Sequence, residues 1–454
     1  MDNLGQISYK DENMLYKYKG LVDVPSICMV DDIMSIQKCS DSGKTNAVIN
    51  AFIEMKKLKL SHKKCSRIHI GKHTTECPEL KVHEHRMKNS SQEKYLGDLL
   101  DQSGSIKPTI QDRVSKAWGI ISEIKAILTE IPLGKYRLEM GLKLRQAMLV
   151  NGSLYNSEAW HSVSTEDIRG LEKVDEALLR CLLDCHLKVP LEFLYLESGA
   201  IPLRFILSAR RINYLKTILN REPEELTRRI YDAQILKPCD GDFADLVAKD
   251  LDTIGVPLNP TIIQNTDREV FRKHIKSRIA AAAFRYLTAQ QTTHSKVKNI
   301  KYEKLEVQPY LTSQLFNNQE TRLLTALRSR THKGFKHNFS NLYGGHIQCP
   351  LNCSEDLENP NIDSQQHLLE CSKVLQEFET SDISNEKVNY NDIFGANTKK
   401  QKELAVLFLQ LLEIKEKMIE EPGTLDPCTC DSDCLCNRDA ILTPVSIVCL
   451  SGNI

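Results

Sequence analysis

The sequence predicts an α+β protein in which a small N-terminal sheet is followed by a mostly α-helical chain. Three observations support this prediction. Short apolar runs with β-branched residues flank a pair of acids near the N-terminus, as in the strands of a hairpin. From residue 110 onward, apolar residues recur mostly at three- and four-residue steps, the period of an amphipathic helix. Near residue 350, cysteines and a histidine follow one another at the spacing of a structural zinc site.

The acidic pair lies in the segment Ile27-Cys28-Met29-Val30-Asp31-Asp32-Ile33-Met34-Ser35-Ile36. We predict a strand on each side of the pair, with Asp31 and Asp32 in the tight turn between them. Two adjacent carboxylates in a dry hairpin repel each other and lose water, and a divalent cation removes that cost. Mg²⁺ prefers carboxylate oxygens and leaves positions for substrate phosphates, so both aspartates are candidate Mg²⁺ ligands. A solvated Asp-Asp turn is the alternative.

The elements predicted after this hairpin follow a recognisable order. Residues 44–60 have helical spacing, a lysine-bearing turn contains Lys64, and alternation over 65–70 predicts a strand. This order resembles the C-terminal half of the palm of a reverse transcriptase of a non-LTR (LINE-like) retrotransposon. The segment Met29-Val30-Asp31-Asp32 resembles the Tyr/Phe-x-Asp-Asp box of that family, and Lys94-Tyr95-Leu96-Gly97 resembles its Tyr-Leu-Gly step into the thumb.

The resemblance implies a function and a set of site residues. It implies an RNA-directed DNA polymerase in which Asp31 and Asp32 hold catalytic Mg²⁺ and Lys64 lies near the incoming nucleotide. It also implies that Lys94 and Tyr95 contact nucleic acid. The expected partners are an RNA template and a DNA primer, or an RNA–DNA hybrid. The resemblance also implies that the small N-terminal sheet is part of the palm.

The resemblance lacks one part of the family's catalytic machinery. In the family, another catalytic aspartate lies well upstream of the Asp-Asp box, with a Gln-Gly segment between. We find neither here, and Asp23 has the wrong context. We therefore expect the C-terminal portion of a polymerase that is inactive alone. The alternative is a nucleic-acid-binding remnant without catalytic activity, and the genomic frame upstream of Met1 would distinguish the two.

Helices with basic faces are expected after the sheet. The second of two helices predicted within 110–152 carries more basic than acidic residues, and Lys143 and Arg145 are candidate nucleic-acid contacts. This pair of helices resembles the thumb that grips a primer–template duplex, although an ordinary helical hairpin with a solvated basic face is the alternative. A loop is predicted at 196–204. Further helices are predicted at about 164–186, 205–219, 223–233, 243–251 and 267–287.

A second basic stretch precedes the cysteine cluster. It combines cations with aromatic residues, which is typical of RNA or single-strand binding. Arg328 and Arg330 are its candidate nucleic-acid contacts. The full stretch is Arg322, Arg328, Arg330, Lys333 and Lys336, interleaved with Phe335 and Phe339.

The cysteine cluster has the pattern Cys349-x3-Cys353-x13-His367-x3-Cys371. Three thiolates and one imidazole form a tetrahedral Zn²⁺ set, and four protein ligands leave no open position, so the zinc would be structural. The segment 365–371 is helix-like, which places His367 and Cys371 on one face. The pattern resembles the Cys-Cys-His-Cys knuckle that follows the polymerase in many of these retrotransposons. A chance arrangement, or His346 as a ligand, are the alternatives.

Composition sets the remaining expectations. Lys plus Arg equals Asp plus Glu at 60 each, so only local charge can indicate a nucleic-acid surface. Fifteen cysteines without a secretory signal favour a reducing compartment, and no apolar run approaches a membrane span, so we expect an intracellular protein of cytoplasm or nucleus. The tail pattern Cys428-x-Cys430-x3-Cys434-x-Cys436 is compatible with metal binding or with a disordered tail. We predict domains at 1–97, 98–230, 231–345, 346–375 and 376–454.

Overall fold

The fold class predicted from the sequence is confirmed. The computed structural model describes residues 16–24, 27–29, 32–36, 42–57, 59, 61, 64–70, 79–82, 85–131, 135–335, 348–351, 353, 362–379 and 389–420. Within these ranges the protein is mostly helical, with small two-stranded sheets in its N-terminal part and a Cys3His cluster in its C-terminal part.

The strands in the described ranges are short and form two-stranded sheets. β1 pairs with β2, β3 with β4, β6 with β7 and β9 with β10, all antiparallel, whereas β5 pairs with β8 in parallel. The strands are β1 (Tyr16–Tyr18), β2 (Val22–Val24), β3 (Ile27–Met29), β4 (Asp32–Met34), β5 (Ser66–Arg67), β6 (Lys81–Val82), β7 (His85–Arg86), β8 (Lys88–Asn89), β9 (Gln92–Tyr95) and β10 (Asp98–Asp101).

The hairpin of β9 and β10 shows how the Tyr-Leu-Gly segment folds. Leu96 and Gly97 form a two-residue turn with φ values of 48° and 96°. Positive φ at both central positions gives the twist that a tight hairpin needs, and glycine adopts it without strain. A Cβ at Gly97 would lie 3.0 Å from the Tyr155 ring, so a larger residue there would also crowd a neighbour. Arg113 donates to the Gly97 carbonyl at 2.9 Å and fixes the turn on the following helix.

The helices of the described ranges follow the apolar periodicity of the sequence. They are α1 (Ser42–Met55), α2 (Lys107–Thr129), α3 (Lys135–Leu144), α4 (Asn151–Ser153), α5 (Thr165–Leu183), α6 (Leu191–Ser198), α7 (Leu203–Leu219), α8 (Leu226–Leu236), α9 (Phe243–Thr253), α10 (Pro260–Asn265), α11 (Arg268–Gln291), α12 (Pro309–Thr312), α13 (Asn318–Arg328), α14 (Gln365–Leu368), α15 (Ser372–Glu379) and α16 (Thr398–Glu420).

Helix α5 begins where its sequence predicts. Ser164 Oγ accepts a hydrogen bond from the Asp167 amide at 3.2 Å, and the Asp167 carboxylate accepts one from the Ser164 amide at 3.0 Å. This reciprocal cap satisfies two amides that the first helical turn leaves without partners. The helix therefore begins at Thr165, within one residue of the predicted start.

Three sequence-based boundaries need correction. Helix α1 ends at Met55, earlier than the predicted residue 60, and the strand expected over 65–70 is reduced to Ser66–Arg67. The loop predicted at 196–204 begins only at Gly199, because residues 196–198 complete helix α6. Burial explains this last difference, since Leu196, Glu197 and Ser198 are each at most 1 % exposed and their backbone groups need intrahelical partners.

The chain divides into two compact units. Unit 1 comprises Met1–Glu123, Leu144–Asp175 and Ile201–Ala283, and unit 2 comprises Ile124–Lys143, Glu176–Ala200 and Phe284–Ile454. Buried apolar side chains from several helices form a core cluster in unit 1. Its members are Ile110, Val150, Leu154, Trp160, Leu171 and Leu203.

In unit 2, α13 and α15 pack on the C-terminal helix α16. Leu324, Phe335 and Phe408 are each 0 % exposed and lie in this interior. The ring centroids of Phe335 and Phe408 lie 6.5 Å apart, edge to face. Among the helices that the structure describes, none is long and apolar enough to cross a membrane.

Candidate metal centre

The four predicted zinc ligands meet in unit 2. The ligand atoms of Cys349, Cys353, His367 and Cys371 all lie within 4.8 Å of one another. Sγ of Cys349 lies 4.0 Å from Sγ of Cys371, and Sγ of Cys353 lies 3.2 Å from Nε2 of His367. In a tetrahedral zinc site two sulfurs lie about 3.8 Å apart, and a sulfur and a nitrogen about 3.6 Å. The cluster could therefore hold a metal ion such as zinc.

Local folding places the ligands. Ser364 Oγ accepts a hydrogen bond from the His367 amide at 3.1 Å and so caps the short helix α14. Cys371 follows α14 by one turn, which brings its thiol to the same side as the imidazole. The two other cysteines flank Asn352, and a bridge between Gln348 and Ile362 closes the segment that carries them.

Buried contacts hold this segment on the C-terminal helix. Asp363, which is 3 % exposed, lies 2.5 Å from the Nζ atom of Lys415 on α16. Lys415 also donates to the Gly334 carbonyl at 2.7 Å. The Tyr390 hydroxyl donates to Gln365 at 2.9 Å. The ligands are therefore attached to the core of unit 2 and are not part of an isolated loop.

Electrostatics favours a cation at the cluster. The hydrogen bond from Cys349 lowers the pKa of the Cys371 thiol below its usual value, and the same interaction raises the pKa of Cys349. Without a cation, only one of the two sulfurs is readily ionised. A bound divalent ion stabilises both thiolates at once, because its charge favours the deprotonated form of each ligand.

The acidic hairpin near the N-terminus is present. β3 pairs antiparallel with β4, and Met29 pairs with Asp32. Asp32 is therefore the first residue of a strand and not a turn residue. Val30 and Asp31 lie outside the described residues, and the Asp32 side chain is not described either. Mg²⁺ binding by Asp31 and Asp32 accordingly stays a prediction.

Two of the predicted N-terminal contact residues are exposed. Lys64 lies in a short helical turn, closed by a 2.9 Å hydrogen bond from its amide to the Ser61 carbonyl, and Lys94 lies on β9. Tyr95 is half-buried on the same strand and pairs with Asp98. Lys64 and Lys94 present their charges to solvent, as a phosphate contact requires, and their roles stay predictions.

Two predicted nucleic-acid contacts do not fit that role. Arg145 is 4 % exposed, and its Nε and Nη2 atoms donate to Asp175 at 2.6 and 2.7 Å. Arg328 is 1 % exposed and donates to Glu197 at 2.8 and 3.0 Å. A buried guanidinium that is already paired offers no surface to a phosphate, so we assign both arginines to the interior.

The other residues of the two basic stretches differ in exposure. Lys143, on the last turn of α3, is exposed and stays a candidate. Arg330 is half-buried with its guanidinium 5.8 Å from the Phe394 ring. Phe335 is 0 % exposed, so it cannot stack on a base as the sequence suggested. Lys336, Phe339, His346 and the cysteines of 428–436 lie outside the described residues.

Sequence reasoning missed the acids that partner the buried arginines. Asp175 and Glu197 lie 30 and 131 residues from Arg145 and Arg328, so no local pattern connects them. A signal did exist for Glu197, which follows the apolar residues Leu194, Tyr195 and Leu196. An acid within such a run is buried, and a buried acid requires a partner.

Comparison with known proteins adds no identification. No family model, no curated protein and no solved structure matches this chain. The interpretation of this centre therefore rests on its own residues and on their geometry.

Proposed function

We propose that the chain is a zinc-containing nucleic-acid-binding protein of the reverse-transcriptase lineage. In this proposal it is the C-terminal portion of an RNA-directed DNA polymerase of a retrotransposon. The observation that carries the proposal is the Cys3His cluster, which follows the predicted palm end and thumb in the family's order. The N-terminal hairpin of β3 and β4, in which Met29 pairs with Asp32, supports it.

In this proposal the zinc is structural. Cys349, Cys353, His367 and Cys371 fill all four positions of a tetrahedral ion, which leaves none for substrate or water. The metal would fix the short segment that carries the four ligands on unit 2. Asp31 and Asp32 would bind Mg²⁺ if a complete palm were present.

We expect the chain to bind RNA or an RNA–DNA hybrid with an affinity that falls as salt rises, because phosphate contacts release counterions. The variant Lys143→Glu should weaken binding and reduce the salt slope by about one, since an exposed lysine loses one phosphate contact. Filter binding or fluorescence anisotropy between 50 and 200 mM salt measures both effects. Over this salt range, a protein that makes about 6–10 phosphate contacts loses most of its affinity.

The control for this experiment is Lys304→Glu. The Lys304 side chain is 68 % exposed and lies outside the predicted surface. The control should retain the affinity and the salt slope of the wild type. An affinity that does not change with salt, or equal losses in both variants, would contradict nucleic-acid binding through Lys143.

We expect the 454-residue chain alone not to extend a primer with Mg²⁺. Two-metal phosphoryl transfer needs carboxylates on both sides of the ion pair, and Asp31 with Asp32 supply one side. Poor positioning of the reacting groups forfeits up to about 7–11 kcal/mol of the proximity effect. Wild type and Asp32→Ala should therefore be equally inactive in a primer-extension assay.

A fusion to an upstream palm half provides the positive arm of the same assay. The fusion should extend a primer, and Asp32→Ala should abolish that activity. Robust extension by the chain alone, lost in Asp32→Ala, would show that the second carboxylate comes from within this sequence.

A nucleic-acid-binding protein without catalytic activity is the second candidate function. One observation favours it: among the described strands, β2, which carries Asp23, pairs with β1 and not with the hairpin strands β3 and β4. In this candidate the zinc and the basic surface keep their roles, and the fusion above stays inactive.

A further inference from the structure

Helix α3 presents one exposed face that combines an aromatic ring, an apolar side chain and a positive charge. Tyr136 is 72 % exposed, Met140 is 43 % exposed, and Lys143 is exposed. Their spacing of four and then three residues places all three on one face of the helix, each beside the next. Among the described residues, the Lys143 ammonium has no ion pair. We name these three residues the α3 stripe.

The opposite face of α3 fixes the helix on the part of α5 that belongs to unit 2. Leu138 is 3 % exposed, and a Cβ at Gly141 would overlap the side chain of Leu182, so the two helices approach closely there. Arg137 donates to the Cys181 sulfur at 3.6 Å. Because the backbone beneath the α3 stripe is already ordered, a ligand that binds there has little of it left to order.

The chemistry of the α3 stripe matches that of an unpaired nucleotide. A tyrosine ring can stack on any base, since every base has a π-face, and a side chain with two torsions loses little entropy when it is ordered. Lys143 supplies the positive charge for a phosphate, and Met140 supplies an apolar, polarisable surface between the two. Single exposed apolar residues are ordinary on a protein surface, whereas here two of them adjoin a lysine on one helix face.

The same geometry favours a single strand over a duplex. In a duplex the faces of each base are covered by its neighbours, and only the edges reach the grooves. At 1.5 Å per residue, Tyr136 and Lys143 lie about 10 Å apart along the helix axis. A stacked strand has about 3.4 Å per phosphate, so about three nucleotides span that distance. The base on the ring and the phosphate at the lysine can therefore belong to one short segment.

We propose that the α3 stripe binds a single-stranded nucleic acid, with an unpaired base stacked on Tyr136 and a phosphate at Lys143. The inference rests on the proposed nucleic-acid binding and deepens it, because it names the form of nucleic acid that this face accepts. Lys143 alone would contact the phosphates of single strands and duplexes alike. Tyr136 is therefore the residue that distinguishes them.

The test compares Tyr136→Ala with the wild type in the full chain with its zinc. The tyrosine is exposed and alanine favours the helix, so circular dichroism should not change. The affinity for a short single-stranded RNA, measured by fluorescence anisotropy, should fall about 5- to 150-fold, the range expected for one lost base–aromatic stack. The salt slope should stay unchanged because stacking releases no counterions, whereas Lys143→Gln should reduce it by about 0.7.

Two control variants and two further ligands show whether the ring acts by stacking. Tyr136→Phe should keep the wild-type affinity, because a phenyl ring also stacks. Leu187→Ala removes a different exposed apolar side chain of unit 2, which is 83 % exposed, and should keep that affinity too. On a strand of the same length without bases, Tyr136→Ala and the wild type should bind equally, since only phosphate contacts remain. They should also bind equally to the hybrid duplex of the same RNA.

Several outcomes would overturn the inference. Wild-type affinity of Tyr136→Ala for single-stranded RNA, or an equal loss on the strand without bases, would overturn the α3 stripe and leave the proposed function intact. A wild type that binds the hybrid and not the single strand would do the same. Self-association through Tyr136 in place of RNA binding, measured by sedimentation, would assign this face to a second copy of the chain. Absence of binding to every nucleic acid would overturn both proposals.

Discussion

Replacing Arg328 by methionine should destabilise unit 2 by about 3–5 kcal/mol, because it leaves a buried carboxylate without its cation. Glu197 is 0 % exposed, and its Oε1 atom accepts hydrogen bonds from Arg328 at 2.8 and 3.0 Å and from Tyr302 at 2.6 Å. Its Oε2 atom has no hydrogen-bond partner among the described residues. Without Arg328, the carboxylate would keep the hydrogen bond from the Tyr302 hydroxyl and would lose its cation.

Arg328 also connects segments that are distant in sequence. Its Nη1 atom donates to the Ile393 carbonyl at 2.6 Å, and its guanidinium lies 5.3 Å from the Tyr310 ring. Methionine fills much of the same volume but makes none of these hydrogen bonds. The Ile393 carbonyl would therefore lose its shorter hydrogen bond and keep the one that the Gln401 side chain donates at 3.3 Å.

The effect is best measured locally, since a chain with two compact units need not unfold in one step. Native-state hydrogen exchange of peptides from α6 and α13 reports the opening free energy of the elements that the pair joins. Both tryptophans, Trp118 and Trp160, lie in unit 1, so tryptophan fluorescence would not follow this change.

Arg322→Met is the matched control because it lies on the same helix. Its ion pair with Asp184 is exposed, at 57 % for the arginine side chain and 32 % for the acid. Exposed pairs contribute about 0–1 kcal/mol, so the control should exchange nearly as the wild type does. Equal effects of the two substitutions would contradict a buried pair at Arg328.

A double variant separates the charge from the packing. In Glu197→Gln/Arg328→Met neither position of this pair carries a charge, and the glutamine oxygen can still accept from Tyr302. We expect this double variant to lose less stability than Arg328→Met alone, since removing both members of a buried pair costs less than isolating one. A larger loss in the double variant would contradict the view that Arg328 stabilises unit 2 mainly as the cation of this pair.

The helices and the ligand cluster were predictable because their signals are local. Caps and three- and four-residue periodicity lie within one helix, as Ser164 and Asp167 show for α5. The metal ligands fall into local pairs, and the turn that follows α14 brings Cys371 back toward His367. Such short-range constraints can be read without knowing the tertiary fold.

The burial of Arg145 and Arg328 could not be predicted, because it depends on contacts between residues that are distant in sequence. Lys143 and Arg145 stand two residues apart on a basic helix, yet one is exposed and the other is 4 % exposed. The backbone changes there from α-helix to a π-helical segment, Arg145–Val150, and Arg145 pairs with Asp175 on another helix. A cluster of basic residues in a sequence therefore indicates a nucleic-acid-binding surface only once the burial of each side chain is known.

Replacing Cys353 by serine should remove the bound metal and unfold the segment around 348–379. Structural zinc contributes about 10–16 kcal/mol of binding free energy at pH 7 in zinc-finger peptides, and that energy is folding energy. Among the described residues of this segment, the regular structure is limited to α14, α15 and the bridge between Gln348 and Ile362. Serine cannot replace a thiolate, so three ligands would remain and the metal would bind far more weakly.

The measurement combines elemental analysis with hydrogen exchange on reduced protein at neutral pH. We expect about one zinc per wild-type chain, as four ligands bind one ion, and close to none in Cys353→Ser. Exchange should increase in α14 and α15. It should change least in unit 1, whose core cluster contains no residue of the ligand segment.

Cys65→Ser is the control, because Cys65 is a half-buried free cysteine that lies outside the cluster. Its thiol donates only weakly to the Ser61 carbonyl, at 3.5 Å, so the control should keep both its zinc and its exchange pattern. A wild-type chain without zinc would reject the metal centre. If zinc stays bound in Cys353→Ser, the fourth ligand is a residue other than Cys353, and the ligand set of the proposed knuckle is wrong.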